Sequence, residues 1–159
     1  GDKDLFNLSI GRRVLKKDIY QNRTGVPLFS AHIRKSFGFV HNANAGNLQY
    51  GGCLWSIDSD FDCRGVAAGE SYSITDHCGQ VEILSDMIDP HYIARQIRQS
   101  GNDQGFNRDY RPSLGIMADL EVDLPIDNKD EFDILLMKEW TVFQEEIDKT
   151  IEDIEKTVL

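Results

Sequence analysis

The chain has 159 residues, a length that suits one domain with a substantial buried core. Its hydrophobic fraction of 40% and charged fraction of 28% are ordinary for a folded globular protein, and it contains no apolar run long enough for a transmembrane helix. The net charge of −10 belongs to the C-terminal part: residues 1–113 carry 13 basic and 13 acidic residues, whereas residues 114–159 carry 4 and 14. The overall acidity therefore excludes no anionic partner for the larger, neutral part.

The three cysteines are Cys53, Cys63 and Cys78, an odd number that argues against a disulfide framework. The first 30 residues show no apolar core of a signal peptide, so a cytoplasmic location and reduced, mostly buried thiols are expected. No CxxC pair is present, and His77-Cys78 is the nearest approach to a zinc motif. We therefore expect no metal ion and no cofactor.

The first half of the chain reads as short strands separated by turns. Short runs of apolar and β-branched residues predict strands at residues 26–30, 37–40, 53–57, 71–75 and 80–84. The segment 41–52 is rich in Asn and Gly and predicts loops, and 58–69 reads as a polar turn that leads into the next strand.

A helix is predicted to follow, because Asp89 suits the N-cap position and Pro90 suits the first turn. Apolar residues at helical spacing continue through 91–99, and Gly101 is expected to end the helix. A polar loop over 102–112 then leads to a strand predicted at 116–124, where Leu120, Val122 and Leu124 alternate before Pro125.

The last segment, from about Asp133, contains neither Gly nor Pro and predicts a helix over about 130–159. About 27 helical residues span on the order of 40 Å, which exceeds what a domain of this size can cover. The apolar side chains recur at spacings of three and four and are expected to meet another helix; they are Leu136, Trp140, Phe143, Ile147, Ile151, Ile154 and Val158. The alternative is an amphipathic helix folded back on its own domain.

Motifs of the common catalytic sites are absent from the sequence. It has no phosphate-binding GxxxxGK[ST] loop, no GxGxxG, no GxSxG and no HExxH. Asp58, Asp60 and Asp62 lack the Gly and Glu that complete a calcium loop, so a solvated turn is favoured. We expect no enzyme activity; the alternative is a small metal-dependent hydrolase that uses Asp58, Asp60 or His77.

Basic and amide residues concentrate in the predicted loops. Arginine and asparagine can pair with the edges of guanine and adenine, and lysine and arginine can bind phosphates, although solvated loops would show the same composition. The candidate DNA-contacting residues are Arg12, Arg13, His32, Arg34, Lys35, Arg64, His77, Asn107, Arg108 and Arg111.

Four stretches of the chain, taken in order, are similar to one family. These are Ile10-Gly11-Arg12-Arg13-Val14 with Lys16-Lys17, then Val26-Pro27-Leu28-Phe29-Ser30-Ala31 with Phe37-Gly38-Phe39, then Ile88-Asp89-Pro90-His91-Tyr92-Ile93, and last Leu124-Pro125-Ile126-Asp127 with Phe132-Asp133. In this order they resemble the target recognition domain of Type I restriction–modification specificity subunits, and the related domain of Type IIG restriction-methyltransferases. The resemblance spans nearly the whole chain.

The resemblance implies a non-catalytic module that reads a short half of a bipartite site in double-stranded DNA. It further implies a long helix that acts as a spacer and docks the methyltransferase and restriction subunits. A family subunit has two such domains and two helical regions, whereas this chain has one of each. The chain is then a half-length subunit, one domain of a longer subunit, or the C-terminal part of a fused enzyme. For a half-length subunit, a homodimer through the C-terminal helix that reads a symmetric split site is expected.

The fold class predicted is α+β: a mixed, β-rich target recognition domain over residues 1–126, followed by a long helical region of coiled-coil type over 127–159. The second functional hypothesis is a non-catalytic protein-interaction domain that acts through the acidic helix and reads no DNA. The two hypotheses differ in whether the chain has salt-dependent affinity for DNA.

Overall fold

Short apolar runs between Gly, Pro and Asn residues form eight strands. In the computed structural model, which describes residues 2–158, the strands are β1 (Phe6–Ile10), β2 (Val26–Phe29), β3 (Gly38–Val40), β4 (Ala45–Gly46), β5 (Gly52–Ser56), β6 (Cys63–Val66), β7 (Ser71–Ile74) and β8 (Cys78–Ile83). The helices are α1 (Pro90–Asp103), α2 (Leu114–Ala118) and α3 (Ile134–Val158), and Lys16–Asp18 forms a 3₁₀ turn. Gly1 and Leu159, the outer ends of the two predicted regions, lie outside the described residues.

The strands form two four-stranded sheets. The first has the order β1-β8-β5-β6, with every neighbouring pair antiparallel. The second has the order β3-β2-β7-β4, in which β2 and β7 run parallel. The predicted α+β class is confirmed by these two sheets and the C-terminal helix.

The central strand β5 explains how the layers stack. Cys53 and Trp55 point into a core shared with the helices, whereas Leu54 points into a second core shared with the other sheet. Because successive side chains of a strand point to opposite faces, a strand between two cores is apolar along its whole length. The molecule therefore has three layers: helices, the β1-β8-β5-β6 sheet and the β3-β2-β7-β4 sheet.

Helix α1 begins as predicted and ends later than predicted. The Asp89 side chain accepts a hydrogen bond of 2.8 Å from the Tyr92 N–H and caps the first turn. The prediction that Gly101 ends the helix is wrong. The helix ends where Gly105 adopts a φ of 79°, and the Phe106 N–H donates to the Gly101 carbonyl at 3.0 Å, as in a Schellman motif.

The prediction of a strand over 116–124 is also wrong. Residues Leu114–Ala118 form α2, and the residues from Leu120 to Leu124 belong to no sheet. Leu120, Val122 and Leu124 are half-buried against the helix-side core, so their alternation reflects burial on one side. No neighbouring strand among the described residues pairs with them, and the Tyr92 hydroxyl donates to the Asp123 carbonyl at 2.8 Å instead.

Three strands were not predicted from the sequence pattern. Strand β1 pairs with β8, β4 lies within the segment 41–52 that was predicted as loop, and β6 lies within the predicted polar turn 58–69. Each is short, and β4 and β6 contain glycine, which weakens the local signal for a strand.

Helix α3 is confirmed, and its two halves differ in their surroundings. Near its start Met137 and Thr141 are buried, and the Trp140 ring meets the Tyr92 ring edge-on at 5.2 Å. Farther along, Phe143, Ile151 and Ile154 are each about half exposed, and Val158 is 80% exposed. One face of the first half thus packs on α1, whereas exposed apolar side chains occur along the whole helix: Leu135, Leu136, Val142 and Phe143 in the first half, and Ile151, Ile154 and Val158 in the second. No helix within residues 2–158 combines the length and apolar character needed to cross a membrane.

Candidate nucleic-acid interface

The sheet topology gathers several loops at one end of the molecule. Strand β1 ends beside the start of β8, because Ile10 pairs with Gly79, and β5 ends beside the start of β6, because Trp55 pairs with Cys63. Strands β2 and β7 run parallel and end together at Phe29 and Ile74. We call the surface formed here by residues 11–15, 30–37, 57–62, 75–77 and 104–113 the loop face.

Hydrogen bonds between the loops fix their relative positions. The Ser59 hydroxyl donates to the Ala31 carbonyl at 2.9 Å, and the hydroxyls of Ser30 and Thr75 lie 2.9 Å apart. The Trp55 indole N–H donates to the Pro112 carbonyl at 3.0 Å, which ties the 104–113 loop to the central strand. The loop face is therefore a connected surface built on the rigid sheets.

Segment 11–15 is held against the β7–β8 turn. The Gly11 N–H donates to the Cys78 carbonyl at 3.0 Å. A side chain at Gly11 would overlap the backbone of Ile74 and Thr75, so only glycine permits this close approach. Arg12 and Arg13 follow directly, and both are exposed.

Nine of the ten predicted DNA-contacting residues lie on the loop face. They are Arg12, Arg13, His32, Arg34, Lys35, His77, Asn107, Arg108 and Arg111. These residues come from four separate segments of the sequence, and the fold brings the segments together. Within residues 2–158 no ion pair engages Arg12, Arg13, Lys35 or Arg108, so their charges face solvent.

The tenth residue, Arg64, lies behind the loop face on β6. Its Nε donates to the Ile33 carbonyl at 2.5 Å, and its guanidinium stacks over the Phe29 ring at 4.5 Å. Its Nη1 lies 3.6 Å from a Glu70 carboxylate oxygen, and the side chain is only 18% exposed. These contacts give Arg64 an internal role, in which it supports the 30–37 loop.

Two carboxylates that were assigned to a solvated turn hold the cations of the loop face. The Asp62 carboxylate accepts hydrogen bonds from Nε and Nη2 of Arg34 at 2.5 and 2.8 Å. This hydrogen bond raises the pKa of Arg34 further above its ordinary value. The interpretation of this segment as a solvated turn is thus wrong for Asp62.

Asp58 joins two further loops. One of its oxygens lies 3.0 Å from Nη2 of Arg111, and the other lies 3.2 Å from Nδ1 of His77. The side chain of Asp58 is 26% exposed, and its two partners are about half exposed. Sequence reasoning missed this role, because ion pairs between distant segments leave no local pattern.

The Asn107 side chain is held by local hydrogen bonds, whereas the Arg108 side chain is exposed. The Asn107 side-chain oxygen accepts N–H bonds from Asp109 and Tyr110, both at 2.8 Å, and thereby forms a tight turn. Paired recognition of adenine needs both the oxygen and the nitrogen of an asparagine amide, so this conformation does not suit that role. Arg108 is exposed, and its backbone carbonyl accepts a bond of 3.0 Å from Nε of Arg111.

A groove with a volume of about 740 Å³ crosses the loop face between the 30–37 and 57–62 loops. Cationic, anionic, hydroxyl and aromatic side chains line it, including His32, Lys35, Phe37 and Asp60. Phe37 is 59% exposed, which is unusual for a large apolar side chain. The groove thus offers both charge and an aromatic surface.

The described residues offer little support for a metal centre. Within residues 2–158 no three potential ligands among His, Cys, Asp and Glu come together.

The three cysteines are unpaired and buried, as expected. Burial raises the pKa of the Cys78 thiol to about 12 and the pKa of the Cys63 thiol well above its ordinary value.

The fold has clear relatives among solved structures. The chain is similar to the S subunit of the Type I restriction–modification system of M. genitalium (TM-score 0.59, 13% identity) and to the HsdS subunit of Thermoanaerobacter tengcongensis (TM-score 0.69, 8% identity). A third structure, solved to explain complex assembly and conformational transition of the type I R-M system, matches with a TM-score of 0.53 and 11% identity. Each match covers 97% of this chain, and no protein-family model or curated sequence matches it.

This chain spans about two fifths of the length of these relatives, since the matches cover 38–39% of each. The match extends over both sheets and α3. The fold expected from the family resemblance is therefore confirmed: this chain has the fold of the matched part of Type I restriction–modification S subunits.

Proposed function

We propose that this chain is a sequence-reading module of a restriction–modification system and that its loop face binds double-stranded DNA. The observation that carries the proposal is the convergence of exposed arginines and lysines from three segments on one surface of a specificity-subunit fold. Arginines and lysines on loops that a rigid scaffold supports can both bind phosphates and reach base edges. The module itself carries out no chemistry in this proposal.

The contacts divide by chemistry. The free cations Arg12, Arg13, Lys35 and Arg108 suit phosphates, whose contact fixes the position of the protein along the duplex. The oriented side chains Arg34 and Arg111, with the exposed His32 and His77, suit base edges. Arg64 is assigned to support of the 30–37 loop.

The chain is also proposed to consist of a recognition domain over 1–126 and a helical region over 127–159. The second half of α3 then serves to bind other helices, either those of a second copy or those of a methyltransferase subunit. Its exposed apolar residues support this role, because a helix end bearing Ile151, Ile154 and Val158 in solvent is unfavourable on its own. The methyltransferase and restriction subunits would complete the active complex in the cytoplasm.

The salt dependence of DNA binding tests the proposal at chosen residues. A variant with Arg12, Arg13 and Lys35 changed to Ala should bind duplex DNA more weakly, and the slope of log K against log salt should fall by about 0.9 for each lost phosphate contact. Fluorescence anisotropy with a labelled duplex at several salt concentrations measures both quantities.

The control variant changes Lys138, Lys149 and Lys156 on α3 to Ala, which removes the same charge away from the loop face. This variant should keep the wild-type slope. Equal slopes for both triple variants would mean that the loop face has been assigned incorrectly.

A second candidate function is a protein-interaction module that reads no DNA. The exposed apolar seam of α3 favours it specifically. It predicts binding to a helical partner together with no salt-dependent affinity of the wild-type chain for any duplex.

A further inference from the structure

The Asp62 carboxylate holds the Arg34 guanidinium by two hydrogen bonds and thereby fixes its orientation on the loop face. Asp62 binds the side edge of the guanidinium, which consists of Nε and one N–H of Nη2. The other contact of Nη2, with the Cys63 carbonyl, is long at 3.5 Å. The far edge of the guanidinium consists of Nη1 and the second N–H of Nη2. Among the described residues Nη1 has no hydrogen-bond partner, and the long contact with Cys63 is the one bond that a base would have to displace from this edge.

Asp62 is itself held in place. One of its oxygens accepts the N–H of Cys63 at 2.8 Å, and Nη1 of Arg98 on α1 approaches it to 3.8 Å. The Asp62 side chain is 28% exposed, whereas that of Arg34 is 55% exposed. The anchored carboxylate thus fixes a guanidinium that would otherwise move freely at the surface and would lose rotamer entropy on being ordered by a base.

The free edge matches one base. Guanine presents two acceptors, N7 and O6, side by side in the major groove, and a planar guanidinium edge can donate to both at once. Lysine presents a compact charge and cannot reproduce this paired geometry. An arginine whose other edge is already bound to a carboxylate meets the base with little further loss of entropy.

We infer that Asp62 is a positioning residue that holds Arg34 for paired hydrogen bonding to a guanine in the DNA major groove. The inference rests on the proposed function, because it assigns a base to one residue of the loop face. It makes Asp62 a determinant of specificity, although a carboxylate on its own repels DNA.

The same loop provides a matched control for charge. Asp60 is exposed, lines the same groove, and forms no ion pair within the described part of the chain. Asp60→Asn and Asp62→Asn therefore make the same change in charge within three residues of each other. Only Asp62→Asn removes the carboxylate that holds Arg34.

The test starts from the duplex that the intact wild-type chain selects from a random library. Affinities are then measured for that duplex and for each of its single-base-pair changes, with wild type, Arg34→Lys, Asp62→Asn and Asp60→Asn. For wild type, one G·C pair should be preferred by about tenfold or more over its replacements. Arg34→Lys and Asp62→Asn should each reduce that preference to about twofold and leave the other positions selective, whereas Asp60→Asn should leave every position as in wild type.

Asp62→Asn keeps an acceptor for the Cys63 N–H, and its folding is checked by thermal unfolding. If it does not fold, Asp62→Glu replaces it, because that variant keeps the charge and displaces the carboxylate by one methylene; the same selective loss is expected.

The outcomes separate the inference from the proposed function. If Asp62→Asn behaves like Asp60→Asn, or weakens all duplexes equally, Asp62 does not position Arg34 for a base and the inference is overturned. If Arg34→Lys keeps every preference while wild type remains selective, the inference fails and the proposed function stands. If wild type selects no sequence at all, both fail.

Discussion

Phe61 illustrates how single residues support the loop face. It follows the 57–60 segment directly, is only 8% exposed, and packs against Gly101 of α1. Its ring also meets the Phe106 ring edge-on at 5.2 Å. The same glycine that was expected to end α1 therefore lies inside it, because the absence of a side chain there makes room for an aromatic ring.

Replacing Gly101 by Ala should lower the free energy of unfolding. A Cβ at this position would overlap the Phe61 ring, and overpacking of this kind costs about 1–3 kcal/mol. The better helix propensity of alanine offsets up to about 1 kcal/mol, so a net loss of about 1–2 kcal/mol is expected. Urea unfolding followed by circular dichroism measures it.

Gly115→Ala is the matched control. Gly115 is exposed in α2, and a Cβ there would meet no neighbouring atom within 4 Å, so this variant should be neutral or slightly more stable. Equal stability of the two variants would show that the Phe61 ring moves aside without cost.

Among the elements, helix α3 differs in its surroundings along its length. The Asp133 carboxylate caps its start by accepting the Leu136 N–H at 2.9 Å, and Met137 is fully buried among the side chains of the helix-side core. Beyond Thr141 the ion pair of 2.9 Å between Arg95 and Asp148 ties the helix to α1. The apolar seam after that point has no partner within residues 2–158.

Polar replacement in the second half of α3 should separate association from stability. In Ile151→Ser with Ile154→Ser, the free energy of unfolding should change only slightly, by about 1 kcal/mol or less, because both side chains are already about half exposed. Self-association, or binding to a methyltransferase subunit, should be lost. Sedimentation velocity over a range of concentrations measures association.

Lys149→Ser, on the same half of the helix but outside the seam, should retain association. Association of the double variant at wild-type strength would contradict the assigned role of the seam.

Sequence patterns predicted those elements whose signals are local. The cap at Asp89, the alternation in β7 and the spacing of apolar residues in α3 each depend on neighbours within one or two turns. Strand β1 depends on β8, a partner far away in sequence, whereas β6 pairs with the preceding strand β5 and contains an arginine and a glycine that weaken its own signal. Residues 120–124 have the alternation of a strand without a strand beside them. The hydrophobic pattern of a segment indicates which of its sides is buried, but it does not identify the strand or helix that the segment packs against.

The same limit applies to the site. The sequence predicted the types of residue on the loop face, since exposed arginines in loops are informative in themselves. It did not predict that Asp62 holds Arg34 from 28 positions away or that Arg64 points inward. Those roles follow from the sheet order, which no local signal in these segments encodes.

The charge of the whole molecule is divided between its parts. All nine arginines precede Pro112, and the excess of acid lies in residues 114–159. Such a division leaves the loop face, with six Arg or Lys residues and five Asp residues, close to neutral in a protein with a net charge of −10. The three-layer arrangement places the loops on one rigid end and leaves the second half of α3 exposed.

Selection from a random duplex library by the intact chain at low salt tests the central claim most directly. DNA that is bound and amplified over several rounds should converge on one short motif, and mirrored copies at a fixed spacing would indicate a dimer. If no motif is enriched after several rounds, although circular dichroism shows that the chain is folded, the claim that this protein reads DNA sequence is contradicted.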